Sequence, residues 1–215
     1  MEIQLNGVSL QLLPSKAVWW SSQRTLLVAD VHLGKDQVFR RHGIAIPGSV
    51  LATELDQLSA LIAQFPAERL LVLGDWVHAA PREPEDWPDQ VRQWRAQHAT
   101  LPIELIPGNH DRQLEPWLAQ WDMKSLGDDT TIEGLRLCHA TDAKQAVVEP
   151  GMSGHWHPSV RLRAGREAIR LAAFARRDQH LILPSFGRFT GGMEGLEDYG
   201  WRLLAAAGQR VVAVG

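Results

Sequence analysis

Hydrophobic residues in this chain come in short blocks, and the spacing within each block predicts an element. Ile3 and Leu5, then Val8 and Leu10, alternate with polar residues on either side of Asn6-Gly7, the pattern of two half-buried strands joined by a tight hairpin turn. Val18-Trp19-Trp20 and residues 25–29 read as the next strands, turning at Ser21-Ser22-Gln23-Arg24. The period then changes. Leu51, Leu55, Leu58, Leu61 and Ile62 fall on one face of a helix over residues 49–65, with Ser49 as the expected N-cap and Pro66 as the stop. Residues 70–73 and 103–106 are apolar runs of strand length. Between them, a proline-rich entry leads into a helix over residues 87–98, whose Trp87, Val91 and Trp94 have core spacing.

The second half changes character. Residues 113–120 predict a short helix and residues 131–137 a hairpin. After that, strand follows strand: Val147-Val148, 160–163, 168–176, 181–183, 201–206 and 210–214. Early strand-helix-strand units followed by late hairpins imply an α/β protein, a sandwich of two mixed β-sheets with helices outside. A length of 215 residues, 45% of them apolar and nine of them Trp, gives one domain over residues 1–215 as the expectation, with a sizeable core.

Polar residues with ligand chemistry sit where these apolar blocks stop. Asp30-Val31-His32 follows residues 26–29, Gly74-Asp75 follows residues 70–73, and Pro107-Gly108-Asn109-His110-Asp111 follows residues 103–106. His139 follows residues 135–138, and Gly154-His155-Trp156-His157-Pro158 comes shortly after Met152. The carboxyl ends of parallel strands in an open α/β sheet gather along one crevice, so these residues are expected to meet. Asp30, His32, Asp75, Asn109, His139, His155 and His157 are more ligands than one tetrahedral zinc takes. Two ions sharing a carboxylate would use them all, with His110 alongside and free of metal.

This ordered set (Asp-x-His, Gly-Asp, Gly-Asn-His-Asp, a later His, Gly-His-x-His) resembles the calcineurin-like metallophosphoesterase superfamily over residues 30–157. Ala29 to Lys35, Phe39-Arg40-Arg41-His42-Gly43 and the stretch from Pro184 to Gly192 resemble, more narrowly, its bacterial branch of ligase-associated DNA damage response endonucleases. The resemblance implies that Asp30, His32 and His157 hold one ion, that Asn109, His139 and His155 hold the other, and that Asp75 bridges them. A water shared by the two ions would then attack phosphorus. It also implies a general-acid role for His110 at the leaving oxygen, with Asp75 and His110 as the catalytic pair. Many relatives place an acid three residues after the bridging aspartate to orient this histidine; here that position is His78. Asp111 or another carboxylate is the expected substitute. Ala140 stands where a glycine is common after His139. Mn²⁺ is implied on family grounds, with Fe or Zn²⁺ compatible with the same imidazole, carboxylate and amide donors.

Charge adds less. The formal net charge of −3 carries no overall nucleic-acid signature, and Glu83, Glu85, Asp86 and Asp89 make the middle of the chain acidic. Between Arg161 and Arg188, seven arginines face only Glu167 and Asp178, which fits either a solvated hairpin face or a nucleic-acid track. Residues 35–48 form a polar crossover segment. Its Lys35, Arg40, Arg41 and His42 read either as an exposed loop with one amphipathic turn or as a phosphate grip. Lys35, Arg40, Arg41 and Arg188 are the substrate-binding candidates. Ser185 and the glycines before Met193 read as a turn or as an anion-binding nest. His42, His98 and His180 have no place in the ligand order.

The lone Cys138, the lack of a basic leader and the lack of any apolar run of roughly 18 residues fit a cytoplasmic protein with no membrane contact. The expected function is a metal-dependent phosphodiesterase or endonuclease on nucleic acid, with DNA favoured by the narrower resemblance. That resemblance also implies functional association with a ligase, a helicase and an exonuclease. The competing readings are a small-molecule phosphodiesterase or pyrophosphatase acting on a nucleotide or nucleotide-sugar lipid, and a non-catalytic interaction module of the same fold. An open basic groove would favour a polymer; a closed apolar pocket would favour a lipid.

Overall fold

The computed structural model describes residues 1–46, 49–82, 84–145, 149–165 and 167–214. The expected strand at Val147-Val148 lies outside the described residues, as do Glu83 and Arg166. The first sheet is built from β1 (Glu2–Leu5), β2 (Val8–Leu12), β3 (Val18–Trp20), β4 (Thr25–Val28), β5 (Arg69–Leu73), β6 (Ile103–Ile106) and β7 (Met123–Ser125), in that order across the sheet. The first three pairings are antiparallel and the last three parallel. The second sheet contains β8 (Asp129–Ile132), β9 (Leu135–Cys138), β10 (Gly151–Ser153), β11 (Ser159–Ala164), β12 (Glu167–Arg177), β13 (His180–Ile182), β14 (Arg202–Ala207) and β15 (Arg210–Ala213). Its spatial order is β15-β14-β12-β13-β10-β9-β8, with β11 paired to β12 beside that path. This is the two-sheet α/β sandwich that the hydrophobic pattern predicts.

Alternation within the strands makes two cores. Leu26, Val28, Leu70, Val72, Ile103 and Leu105 point outward. There they meet α2 (Val50–Gln64) through Leu51, Leu55, Leu58 and Leu61, and α3 (Trp87–Gln97) through Trp87, Val91 and Trp94. Leu27, Ala29, Leu71, Leu73 and Ile106 point inward against Leu135, Leu137, Met152, Phe174, Leu181 and Leu183 of the second sheet. A third cluster, with Trp201 and Ile182, covers the outer face of that sheet. Burial on both faces explains why β4 and β5 read as apolar runs rather than alternating strands.

Three features depart from the pattern read in the sequence. Lys35–Arg41 forms α1, two turns of helix with Asp36 and Arg40 paired across one turn at 3.0 Å, where a loop was one of the two expectations. Ser49 occupies the N-cap of α2, but its side chain makes no capping bond. Strands β7 and β10 have no periodic signature; each is three residues long and takes its place by pairing with a longer parallel neighbour.

Candidate metal centre

Parallel register aligns the strand ends. Val28 lies opposite Val72, and Leu73 opposite Ile106, so Asp30, Asp75 and Asn109 leave the first sheet along one edge. In the second sheet Met152 of β10 lies opposite Leu137 of β9, which brings His139 and His155 out together. The turns that carry these residues are tight. Asp30 (φ 54°), His32 (φ 54°), Asp75 (φ 50°), His155 (φ 70°) and His157 (φ 46°) all occupy the left-handed region that non-glycine residues avoid. Such outliers cluster where side chains must be aimed rather than merely packed.

The side chains converge. His32 Nε2 lies 3.3 Å from His157 Nε2 and 3.8 Å from Asp75 Oδ2. Asp30 Oδ1 lies 3.4 Å from His157 Nε2. His139 Nε2 lies 3.6 Å from Asp75 Oδ2 and 3.1 Å from His155 Nδ1, which is 3.4 Å from the Asn109 side-chain amide. All seven expected residues therefore form one continuous cluster, with Asp75 between its two halves. Asp30, His32, Asp75 and His139 are buried and make the floor. His155 and His157 are half-buried, and Asn109 is exposed at the rim.

The donor set fits cations. Donors bound at about 2.1 Å to a tetrahedral ion stand about 3.4 Å apart, and these contacts fall around that value. Asp30 Oδ1 is buried with no hydrogen-bond partner, although Asp30 Oδ2 accepts the His155 backbone N–H at 2.9 Å. A buried carboxylate oxygen without a donor needs some other positive partner. Burial, followed by the neighbouring His157, pushes the His32 imidazole down to about 2, and burial and His139 push His155 down as well. These rings are neutral at physiological pH and keep a lone pair for a metal. His139 donates its Nδ1 hydrogen to the Leu73 carbonyl at 3.2 Å, which leaves Nε2 as the free donor atom facing Asp75.

Two glycines make this convergence sterically feasible. A Cβ on Gly74 (φ 82°) would lie 1.9 Å from His139 Nδ1, and one on Gly108 would lie 2.2 Å from Asp75 Oδ1. Asp111 ties the loops together. Its carboxylate accepts the backbone N–H groups of Gly108 at 2.9 Å and of Trp76 and Val77 at 3.2 Å each. That bonding answers how His110 is oriented, and the expected substitute for an acid at position 78 is corrected. Asp111 faces away into the loop, while His110 Nδ1 donates to the main-chain carbonyl of His78 at 2.5 Å, its ring stacked on the His78 ring at a centroid distance of 4.9 Å. The His110 backbone N–H in turn donates to Asp75 Oδ1 at 2.9 Å.

The four substrate candidates divide. Lys35 lies close enough to His32 and His78 to help lower both imidazoles. Arg40 is engaged with Asp36, and Arg41 pairs with Glu85 at 3.3 Å. Arg188 lines a cavity of about 160 Å³ beside His157, together with Lys16, Arg170, Ser159 and Ser185. Ser185 holds the Asp30 backbone, its hydroxyl donating to the Asp30 carbonyl at 2.7 Å, so this segment shapes the turn under the cluster. A second cavity, of about 390 Å³, adjoins His110 and is lined by Arg82 and Arg112. Lys16, Arg82 and Arg112 carry no motif that a sequence reading would single out, whereas Arg170 belongs to the arginine run noted in the sequence. His98 and His180 bond to Ser59 and Ser153, and His42 to the Val38 carbonyl, all outside the cluster.

A phosphoesterase sandwich with mixed histidine, carboxylate and amide donors at its strand ends is the class this geometry defines. The calcineurin-like phosphoesterase family model matches residues 23–159, and the chain belongs to that family. Metallophosphoesterases use divalent metals, and the clusters described here hold the candidate donors. Among solved structures the chain is similar to the nuclease MPE of Pseudomonas putida, at 34% identity over 100% of this chain and 99% of that one, with a TM-score of 0.83. The E. coli phosphoesterase Yfce is 19% identical over 88% of this chain and 96% of that one, with a TM-score of 0.45. No curated protein sequence matches. The family and the nuclease neighbour together support phosphoester hydrolysis, and none of the described helices is long and apolar enough to cross a membrane.

Proposed function

We propose that this protein is a metal-dependent phosphodiesterase that cleaves nucleic acid, DNA in particular, and that its cofactors are two divalent ions, manganese in the cell. The observation that carries the reading is the convergence of seven oxygen and nitrogen donors around the buried Asp75 carboxylate in a chain similar end to end to a nuclease. Asp30, His32 and His157 would hold one ion, Asn109, His139 and His155 the other, and Asp75 would be shared by both. When bound, such a pair lowers the pKa of water for attack on phosphorus and polarises the phosphate oxygens.

The chain's own groups do the rest. Main-chain amides fix the two carboxylates and Ser185 fixes the Asp30 backbone, so that little reorganisation accompanies the reaction. The imidazolium form of His110, its Nδ1 hydrogen committed to the His78 carbonyl, gives its Nε2 proton to the departing oxygen and is left neutral. The cation-lined cavities on either side of the cluster support a polyanionic substrate over a lipid one. A complete donor set argues against a non-catalytic module. Likeness to the DNA damage response branch supports a cytoplasmic place beside a ligase, a helicase and an exonuclease.

The test is metal-stripped protein reconstituted with Mn²⁺ and assayed on single-stranded DNA, duplex DNA and bis-p-nitrophenyl phosphate, with Asp75→Asn in parallel. Mn²⁺-dependent cleavage of internal DNA bonds that disappears in the variant is the expected result. Turnover of the small diester with DNA untouched would move the substrate to small phosphodiesters. No turnover of any substrate would remove the enzymatic reading.

A further inference from the structure

Strands β11 and β12 form a hairpin arm rooted on the metal centre. They pair over six residues, from Ser159↔Ala172 to Ala164↔Glu167, an arm about 20 Å long at strand rise. Its foot is two residues past His157. The Met193 N–H donates to the His157 carbonyl at 2.9 Å, the Ser159 N–H to the Met193 carbonyl at 2.8 Å, and the Ala173 N–H to the Pro158 carbonyl at 2.9 Å.

Strand alternation separates the arm's faces. Ser159, Arg161 and Arg163 share a face with their partners Ala172, Arg170 and Ala168, while Val160 and Leu162 with Leu171 and Ile169 make the other. Ser159, Arg170 and Ala172 line the cavity beside His157 that Lys16 and Arg188 also line. The cationic face of the arm is therefore continuous with the metal centre. Arg161 is held by Glu194 at 3.0 and 2.8 Å, and that bond, with Arg170 and Arg163 adding to it, holds the Glu194 carboxyl below its usual range. Arg163 and Arg170 are exposed, and among the described residues neither makes an ion pair. Arg161 also lies directly opposite Arg170 across the strands. Like charges facing each other in a strand pair are destabilising, and the single Glu194 carboxylate leaves Arg161, Arg163 and Arg170 with a net positive charge. A polyanion lying along the face would relieve it. Phe189, between the cavity-lining Arg188 and Thr190, is 41% exposed and offers an open aromatic surface at the foot of the arm.

We propose that this face is the track for one unpaired polynucleotide strand. Arg163 and Arg170, with Arg188 at the foot, hold successive phosphates on the His157 side of the metal centre, and Phe189 stacks on a base. The assignment rests on the nuclease reading above and names the residues that would give it polymer and single-strand preference. A duplex hides its base faces, whereas an unpaired strand can offer one to an exposed aromatic ring.

The experiment compares wild type, the double variant Arg163→Ala/Arg170→Ala, and Phe189→Ala. Each is loaded with Mn²⁺ and assayed on single-stranded DNA, duplex DNA and bis-p-nitrophenyl phosphate over a range of salt. For the double variant, KM for single-stranded DNA is expected to rise at least about tenfold, and the slope of log KM against log salt to shrink by about 1.4, at about 0.7 for each phosphate contact to a single strand. Bound Mn²⁺ per chain and the thermal midpoint stay at wild-type values, which shows that the metal centre is folded, and any loss on the small diester is smaller than the loss on single-stranded DNA. Phe189→Ala is expected to raise KM for single-stranded DNA by about fivefold or more and to leave duplex DNA unaffected. Unchanged KM and salt slope in the double variant would overturn the track while leaving the nuclease reading intact. Equal loss on the small diester would also overturn it, because the arm would then be supporting the metal centre instead of the strand. A wild-type protein that hydrolyses the diester but neither binds nor cleaves DNA would sink the nuclease reading and this inference with it.

Discussion

Replacing Gly108 with alanine tests how the Asp75 carboxylate is held. Gly108 has an extended backbone (φ −98°, ψ −173°) that alanine can adopt, so the substitution adds no backbone strain in the folded chain. An added Cβ would stand 2.2 Å from Asp75 Oδ1, 2.5 Å from the Asp75 backbone nitrogen and 2.8 Å from its carboxyl carbon, whereas ordinary contact begins near 3.4 Å. The loops after β5 and β6 must therefore separate by about 1 Å, and a shift of that size in a reacting group can cost about 100-fold in rate. The stability effect is smaller. Alanine gains about 0.4–1 kcal/mol from the unfolded state, and overpacking costs about 1–3 kcal/mol, a net loss of about 1–2 kcal/mol. In a chain of this length that lowers Tm by about 2–8 °C. The assay is kcat/KM for bis-p-nitrophenyl phosphate across a Mn²⁺ titration, with a thermal melt of the same samples. The expected result is about 100-fold lower activity with a modestly lower Tm. Activity within threefold of wild type and a raised Tm would refute the claim that close backbone approach positions Asp75.

Other residues make separate predictions. His78→Ala keeps the carbonyl that orients His110, so kcat should fall less than about tenfold, whereas His110→Ala should lower it by about 100- to 10,000-fold; equal losses would show that the His78 side chain is what matters. Asp111→Ala leaves the N–H groups of Gly108, Trp76 and Val77 without their acceptor, and denaturant unfolding should show a loss of about 3 kcal/mol or more. Glu54 is buried and its carboxyl is pushed up to about 7, chiefly by burial. Its native form therefore keeps a proton that the unfolded chain releases, and this contribution to stability is fully present below about pH 4.5 and is lost as pH rises to about 7. Glu54→Gln should flatten that part of the stability–pH curve by about 3 kcal/mol while keeping the bond from the Arg188 N–H; an unchanged slope would place the linkage elsewhere.

The candidate site was legible because its residues follow recognisable strands. Apolar runs ending in Asp30, Asp75 and Asn109 required only parallel pairing to bring those side chains to one edge, and pairing in register did so. What stayed hidden depends on groups that sequence does not encode by type. The acceptor that orients His110 is a main-chain carbonyl, so the search for a replacement acid pointed to Asp111, which bonds to backbone amides instead. Strands β7 and β10 are specified by their neighbours, since three residues carry too little pattern to declare a period. Lys16 reaches the Phe186 and Gly187 carbonyls from a turn 170 residues away in sequence, a contact that only the closed sandwich creates. Arg161, Arg163 and Arg170 could be counted in the sequence, but their sharing of one face was set by the register of β11 against β12.

The most direct test of the account is to titrate Mn²⁺ into stripped protein while following bound metal and diester turnover together. Turnover should appear as bound metal approaches about two ions per chain, and Asp75→Asn should hold fewer and stay inactive. Full turnover in excess chelator with no bound metal, or turnover that Asp75→Asn retains, would contradict it.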